Sequence, residues 1–168
     1  MYFRDAIGAY ERVRAGRGVE TPARHLISIA AAYVRLGELS NAVLAASDGL
    51  EIYPEEARLW SIYADALRGT DRLELALDAL ALVQEIDPEY SNIGLRRGSW
   101  LLEARRMREA VDVLKDVASA RPEQADGAPR LVIQVPYAQG IQRDDFDYAA
   151  TWLEAAKELE SLSPEIVH

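Results

Sequence analysis

Few residues in this chain are equipped for chemistry. Asp144, Asp145 and Asp147 crowd one short stretch, and such oxygens suit a hard cation. At the start of a helix the same carboxylates would cap it and complement its dipole, and that is how we read them. His25 falls beside Arg24 in the first turn of an expected helix, a place for a solvent-facing or packing imidazole rather than a proton shuttle. Arg96, Arg97, Arg105, Arg106 and Arg108 form the densest basic cluster. Guanidinium groups at that density could grip the anionic groups of a peptide or nucleic acid. Glu103, Glu109 and Asp112 are interspersed, so a solvated face of mixed charge is the preferred reading. The chain has no glycine-rich phosphate loop, no Gly-x-Ser-x-Gly elbow and no His-Glu-x-x-His. We expect no catalytic residue, no cofactor and no metal, and so not an enzyme.

Composition narrows the field further. The 168 residues carry 19 Lys+Arg against 28 Asp+Glu, a formal net charge of −9. That balance argues against a nucleic-acid partner for the domain as a whole. It is uneven along the chain. From Asp144 onward there are seven acidic residues and one lysine, whereas residues 91–121 hold seven basic and four acidic ones. Cysteine is absent, which removes thiol catalysis, disulfides and Cys-based zinc sites. The only histidines are His25 and the last residue, His168, too few for a multi-histidine metal centre. Hydrophobic residues make up 49%, yet no apolar run is long enough to span a membrane. Met1-Tyr2-Phe3-Arg4-Asp5 lacks the layout of a signal peptide. We expect a cytoplasmic location, the alternative being a periplasmic or membrane-associated place within a longer protein. Lys115 and Lys157 are the only lysines, which reads as codon bias in a GC-rich genome.

The elements that would position any site are announced by a period. Pro54, Pro88 and Pro122 are spaced at 34 residues, and each is followed by glutamate. The same step links Ala30, Ala64 and Gly98; Tyr33, Leu67 and Leu101; Ala42, Ala76 and Ala110; and Val43, Leu77 and Val111. Small residues at the first and third sets let paired helices approach, and large neighbours fill the gaps. Proline stops one helix and presets φ for the next. Short turns, Arg35-Leu36-Gly37-Glu38 and Arg68-Gly69-Thr70-Asp71, join the helices of a pair, with glycine suited to the C-cap.

This pattern resembles the tetratricopeptide repeat (TPR) family, with units at 23–56, 57–90 and 91–124. Helix A matches as Leu26, Ile29, Ala30 and Tyr33, then as Trp60, Tyr63, Ala64 and Leu67. Helix B matches as Leu39, Ala42 and Ala46, then as Leu73, Ala76 and Leu80, and in the third unit as Met107, Ala110, Leu114 and Val117. The third helix A departs: Gly94 and Arg97 stand where two large residues belong. Either that helix is rotated or Arg97 meets a buried acid, because an unpaired buried charge is costly.

The flanks extend the pattern. Residues 3–15, with Phe3, Ile7, Tyr10 and Val13 on one face, read as a helix B lacking its helix A. It is either part of a longer array or a cap on the first unit. Thr21-Pro22 reads as N-cap and first-turn proline of the next helix. Residues 125–129 are a linker by composition, and 131–136 are ambiguous between a kinked helix and an extended segment. Asp144 to Leu162 reads as a helix striped by Phe146, Ala149, Leu153, Ala156 and Leu159. Residues 128–162 are therefore expected to form a degenerate fourth unit closing the array, followed by a frayed tail.

The fold implied is an all-α, right-handed solenoid of antiparallel helix pairs, with about 7–9 helices in a single array over 1–168. The resemblance also implies a concave groove lined by the A helices. Its positions fall on Arg24, Ile27, Ala31, Val34 and Arg35; on Arg58, Ser61, Asp65, Arg68 and Gly69; and on Asn92, Leu95, Arg96, Ser99, Leu102 and Glu103. Some TPR co-chaperones clamp acidic chaperone C-termini with five Lys, Asn and Arg side chains. The matching positions here are Ile27, Ala31, Ile62, Asn92 and Arg96, of which only Arg96 fits, so no such clamp is expected. The function implied is an adaptor or scaffold holding a peptide or helix of a protein partner. The alternative is a structural subunit of a larger complex, self-associating through the array ends.

Overall fold

The computed structural model describes residues 22–90 and 92–120, and these form helices joined by short turns. They belong to two compact units, one ending at Tyr90 and the other starting at Ser91. The first holds α1 (Ala23–Arg35), α2 (Leu39–Ile52), α3 (Ala57–Gly69) and α4 (Leu73–Ile86); the second holds α5 (Ile93–Glu103) and α6 (Met107–Ala120). Six helices are thus present among the described residues. The helix expected at 3–15, the linker and apolar run at 125–136 and the unit expected at 128–162 lie outside them.

Each helix is made by its apolar spacing and stopped by its turn. On α1 the buried residues Leu26, Ile29, Ala30 and Tyr33 recur at intervals of three and four, the signature of one helical face turned to a core. Within the first unit each helix packs on the next, and α1 also touches α3. Ala30, Ala42, Ala46, Ala64 and Ala76 are fully buried, so the backbones close up where side chains are smallest. Leu59, Leu67 and Leu80 fill the space between.

The turn inside each pair is the same structure three times. Gly37, Asp71 and Arg105 adopt left-handed backbone with φ of +74°, +59° and +60°. Beyond each, the amides of Glu38, Arg72 and Arg106 donate to the carbonyls of Tyr33, Leu67 and Leu101 at 3.0, 3.0 and 2.8 Å. The amides of Gly37, Asp71 and Arg105 donate to Val34, Arg68 and Leu102 at 3.0, 3.1 and 3.0 Å. These two bonds constitute a Schellman motif, which satisfies carbonyls that the helix end leaves open.

Gly69 does not have the role its type suggested. It is the last residue of α3, and Asp71 takes the left-handed conformation. What Gly69 supplies is space, since a Cβ there would meet Leu39 Cδ1 at 2.5 Å. The prolines also act on one side only. Pro54 and Pro88 follow the C-cap residues Tyr53 and Asp87, but α3 and α5 begin at Ala57 and Ile93. Pro22 occupies the N-cap of α1 rather than its first turn; Thr21 lies outside the described residues.

The second unit explains its irregular sequence. A Cβ on Gly94 would be driven into a Val117 γ-methyl, and one on Gly98 would meet Leu114 Cδ2 at 2.6 Å. In the first unit the sizes are exchanged: an added Cβ on Gly49 of α2 would stand 3.0 and 3.3 Å from the two Leu59 methyls of α3 and 3.4 Å from Leu26 Cβ of α1. Leu26 and Gly94 occupy the same repeat position, as do Gly49 and Val117. The large member of the pair has moved from helix A to helix B. Arg97 is half-buried rather than buried, and its charge acts on Glu109 of α6.

Candidate functional site

The basic cluster resolves into internal partnerships. Arg106 Nε and a terminal guanidinium nitrogen donate to the two Glu109 oxygens at 2.8 and 2.6 Å. These hydrogen bonds, opposed by desolvation and helped by the charges of Arg106 and Arg97, hold the Glu109 carboxyl below its ordinary range. The Arg96 guanidinium lies 5.1 Å from the centre of the Trp100 ring, within cation–π reach. Arg105 and Arg108 are exposed. His25 is exposed as well. No group of three or more potential metal ligands occurs among the described residues, and no helix there is long and apolar enough to cross a membrane. Asp144, Asp145 and Asp147 lie outside the described residues.

The groove positions of the first unit sit on α1 and α3, which are in contact. Along α1, Ile27, Ala31 and Val34 form a half-buried stripe at intervals of four and three residues, so they share one face. Ile27 and Val34 pack on the core cluster by one side, and Ile62 of α3 joins that same cluster while half-buried. Ile62 falls on a clamp position that its apolar side chain cannot fill; its burial groups it with the stripe. Asp65 is exposed and Ser61 is buried at 4% exposure. Ser61 is therefore a packing residue here, not a lining one. Arg24 and Arg58 are exposed near the starts of α1 and α3, and Arg35 and Arg68 are exposed near their ends, with Gly69 also exposed.

Aromatic contacts anchor the start of α3. Trp60 Nε1 donates to the Pro54 carbonyl at 2.7 Å, tying α3 to the turn before it. Trp60 also meets Tyr63 edge-on, with ring centroids 5.9 Å apart.

The remaining positions belong to the second unit. Asn92 precedes α5 in left-handed backbone with φ of +54° and is exposed, as is Glu103. Leu95, Arg96 and Ser99 are half-buried. Leu102 is fully buried, so the surface expected there is absent at that residue.

Neither a protein-family model nor a curated protein matches the sequence. Solved structures do. A crystal structure of MamA superposes with a TM-score of 0.68 at 18% identity, covering 95% of this chain and 89% of that one. A second MamA structure gives 0.67 at 17% identity over 99% and 89%. A thermophilic TPR protein in Thermus thermophilus gives 0.54 at 18% identity over 91% and 90%. With the 34-residue step, the repeated Schellman turns and these neighbours, the chain has an all-helical, TPR-like fold.

Proposed function

We propose that this chain is a non-catalytic interaction module and that the α1/α3 face holds a segment of a partner protein. One observation carries the reading: Ile27, Ala31, Val34 and Ile62 bring apolar surface together and leave it half-covered. Apolar groups that line a shallow face between two rigid helices are suited to anchor side chains from another chain. The site residues of this reading are Arg24, Ile27, Ala31, Val34, Arg58, Asp65 and Arg68, with Ile62 added. Asn92, Leu95, Arg96 and Ser99 make a secondary surface of their own on the second unit. Only Arg96 suits a carboxylate clamp, so chaperone C-terminal peptides are not the expected ligand.

Photocrosslinking tests the assignment. A photoreactive amino acid replaces Ala31 on the face, or Asp78 on α4, which is exposed and outside it. Discrete protein adducts are expected from position 31 and not from position 78. Equal adducts from both, or adducts only from 78, would move the interaction surface off the α1/α3 face. Adducts consisting solely of this same chain would favour the self-associating subunit instead.

A further inference from the structure

We infer that the α1/α3 face selects a protein segment with an apolar centre and carboxylates on both sides of it. The inference rests on the α1/α3 face being the binding surface, and it specifies the partner's chemistry.

The distribution of charge carries it. Residues 22–90 contain five arginines, no lysine and twelve carboxylates, so this stretch is strongly acidic. Four of the five arginines, Arg24, Arg35, Arg58 and Arg68, occupy the face, and only one of the twelve carboxylates, Asp65, does so. Repulsion among surface charges would disperse the arginines of this stretch evenly; here four of the five are gathered on one face.

Their placement along the helices adds a second, independent observation. Arg24 and Arg58 are each the second residue of their helix; α1 has no acidic residue at its N-cap or in its first turn, whereas α3 is capped by Glu56, whose carboxylate accepts from the Arg58 amide at 3.3 Å. A cation at a helix N-terminus opposes the macrodipole. Helices α4 and α6 follow the favourable rule, with Glu74 and Glu109 in their first turns. Helix stability therefore does not explain Arg24. At the start of α1 a carboxylate arriving from outside would be attracted by both the guanidinium and the helix dipole. At the other end Arg35 and Arg68 lie in the last turns. The two pairs bracket the apolar stripe, and the helix axis from Arg24 to Arg35 spans about 16 Å.

A display library of random peptides, selected on the full chain at low salt, tests this directly. A parallel selection uses Ile27→Asp, and a third uses Arg24→Glu/Arg58→Glu, whose exposed positions leave the fold undisturbed. Peptides that depend on Ile27 are expected to carry apolar centres with Asp or Glu on both sides. Their affinity should fall at least tenfold on charge reversal, and fall again as salt screens the attraction. The Arg24→Glu/Arg58→Glu selection should exchange the acidic flank for a basic one. Ile27-dependent peptides with neutral or basic flanks would overturn the acidic preference while leaving the binding face intact. Enriched peptides indifferent to Ile27→Asp, or no enrichment at all, would overturn the binding face itself.

Discussion

Gly94→Ala places a methyl group against Val117 of α6 and makes the size exchange in the second unit measurable. In an ordinary helix the substitution stabilises by about 1 kcal/mol, because glycine is the poorer helix former. Here the new Cβ would overlap a Val117 γ-methyl, while the Val117 Cβ stands at an ordinary 3.7 Å. Valine in a helix holds one strongly preferred rotamer, so the methyl cannot swing away cheaply. Overpacking of this kind costs about 1–3 kcal/mol. The penalty exceeds the propensity gain, and a net loss of about 1 kcal/mol is expected. Val117→Ala alone removes two methyls from a side chain only 8% exposed, a loss of about 1.5 kcal/mol. In the Val117→Ala background the clash is gone, and Gly94→Ala should then stabilise by roughly 0.5–1 kcal/mol. The double-mutant cycle should yield a coupling of about 2 kcal/mol. Gly49→Ala is the control: its nearest atoms, the Leu59 methyls at 3.0 and 3.3 Å and Leu26 Cβ at 3.4 Å, are tight rather than overlapping, so its effect should be smaller. Urea denaturation followed by far-UV circular dichroism gives the free energies, and amide exchange in α5 and α6 localises them. If Gly94→Ala stabilises the unaltered chain, or if Val117→Ala fails to reverse its sign, Gly94 and Val117 are not a size-matched pair.

Two further outcomes follow from the turns and the Arg106–Glu109 pair. Arg105→Gly should raise the thermal midpoint, since a non-glycine residue in left-handed backbone costs about 1 kcal/mol. Asp71→Gly should raise it less, because aspartate tolerates that region better, and Gly37→Ala should lower it. Glu109 is ionised more readily in the folded chain than in the unfolded one. Its contribution is therefore present above the ordinary glutamate range and is lost as pH falls through the depressed folded value. Glu109→Gln should thus be the less stable protein at neutral pH and converge on the unaltered chain in acid, with the difference shrinking in high salt. An NMR titration placing the Glu109 carboxyl at or above its unfolded value would contradict this.

The helical pairs were legible because two signals coincided. Leu26, Ile29, Ala30 and Tyr33 gave the period of a helix, and Pro54 and Pro88 gave the period of the repeat. Gly37 suits a cap by type and is one. Gly69 shows where such reading stops. Glycine in a sequence marks either an unusual φ or a missing side chain, and only the neighbour, Leu39, reveals which. Gly94 looked like a defect for the same reason: its complement, Val117, sits on the other helix of the pair. The candidate face was legible in part. Repeat register located Ile27, Ala31 and Val34 on one side of α1, but it could not show that Ser61 and Leu102 are consumed by packing. Exposure depends on what the neighbouring helices cover, and that information is spread over the whole chain.

Tandem hairpins of similar sequence face a hazard during folding, because a helix can settle on the wrong copy of its mate. The exchanged sizes at Leu26/Gly49 and Gly94/Val117 guard against it. Helix α1 laid on α6 would force Leu26 against Val117, two large side chains in a space for one. Helix α5 laid on α2 would oppose Gly94 to Gly49 and leave a void. Each wrong pairing is penalised, one by crowding and the other by emptiness, and each right pairing fills its gap once. The residues that make the second unit look like a poor copy of the first thus act as a key that distinguishes otherwise interchangeable parts.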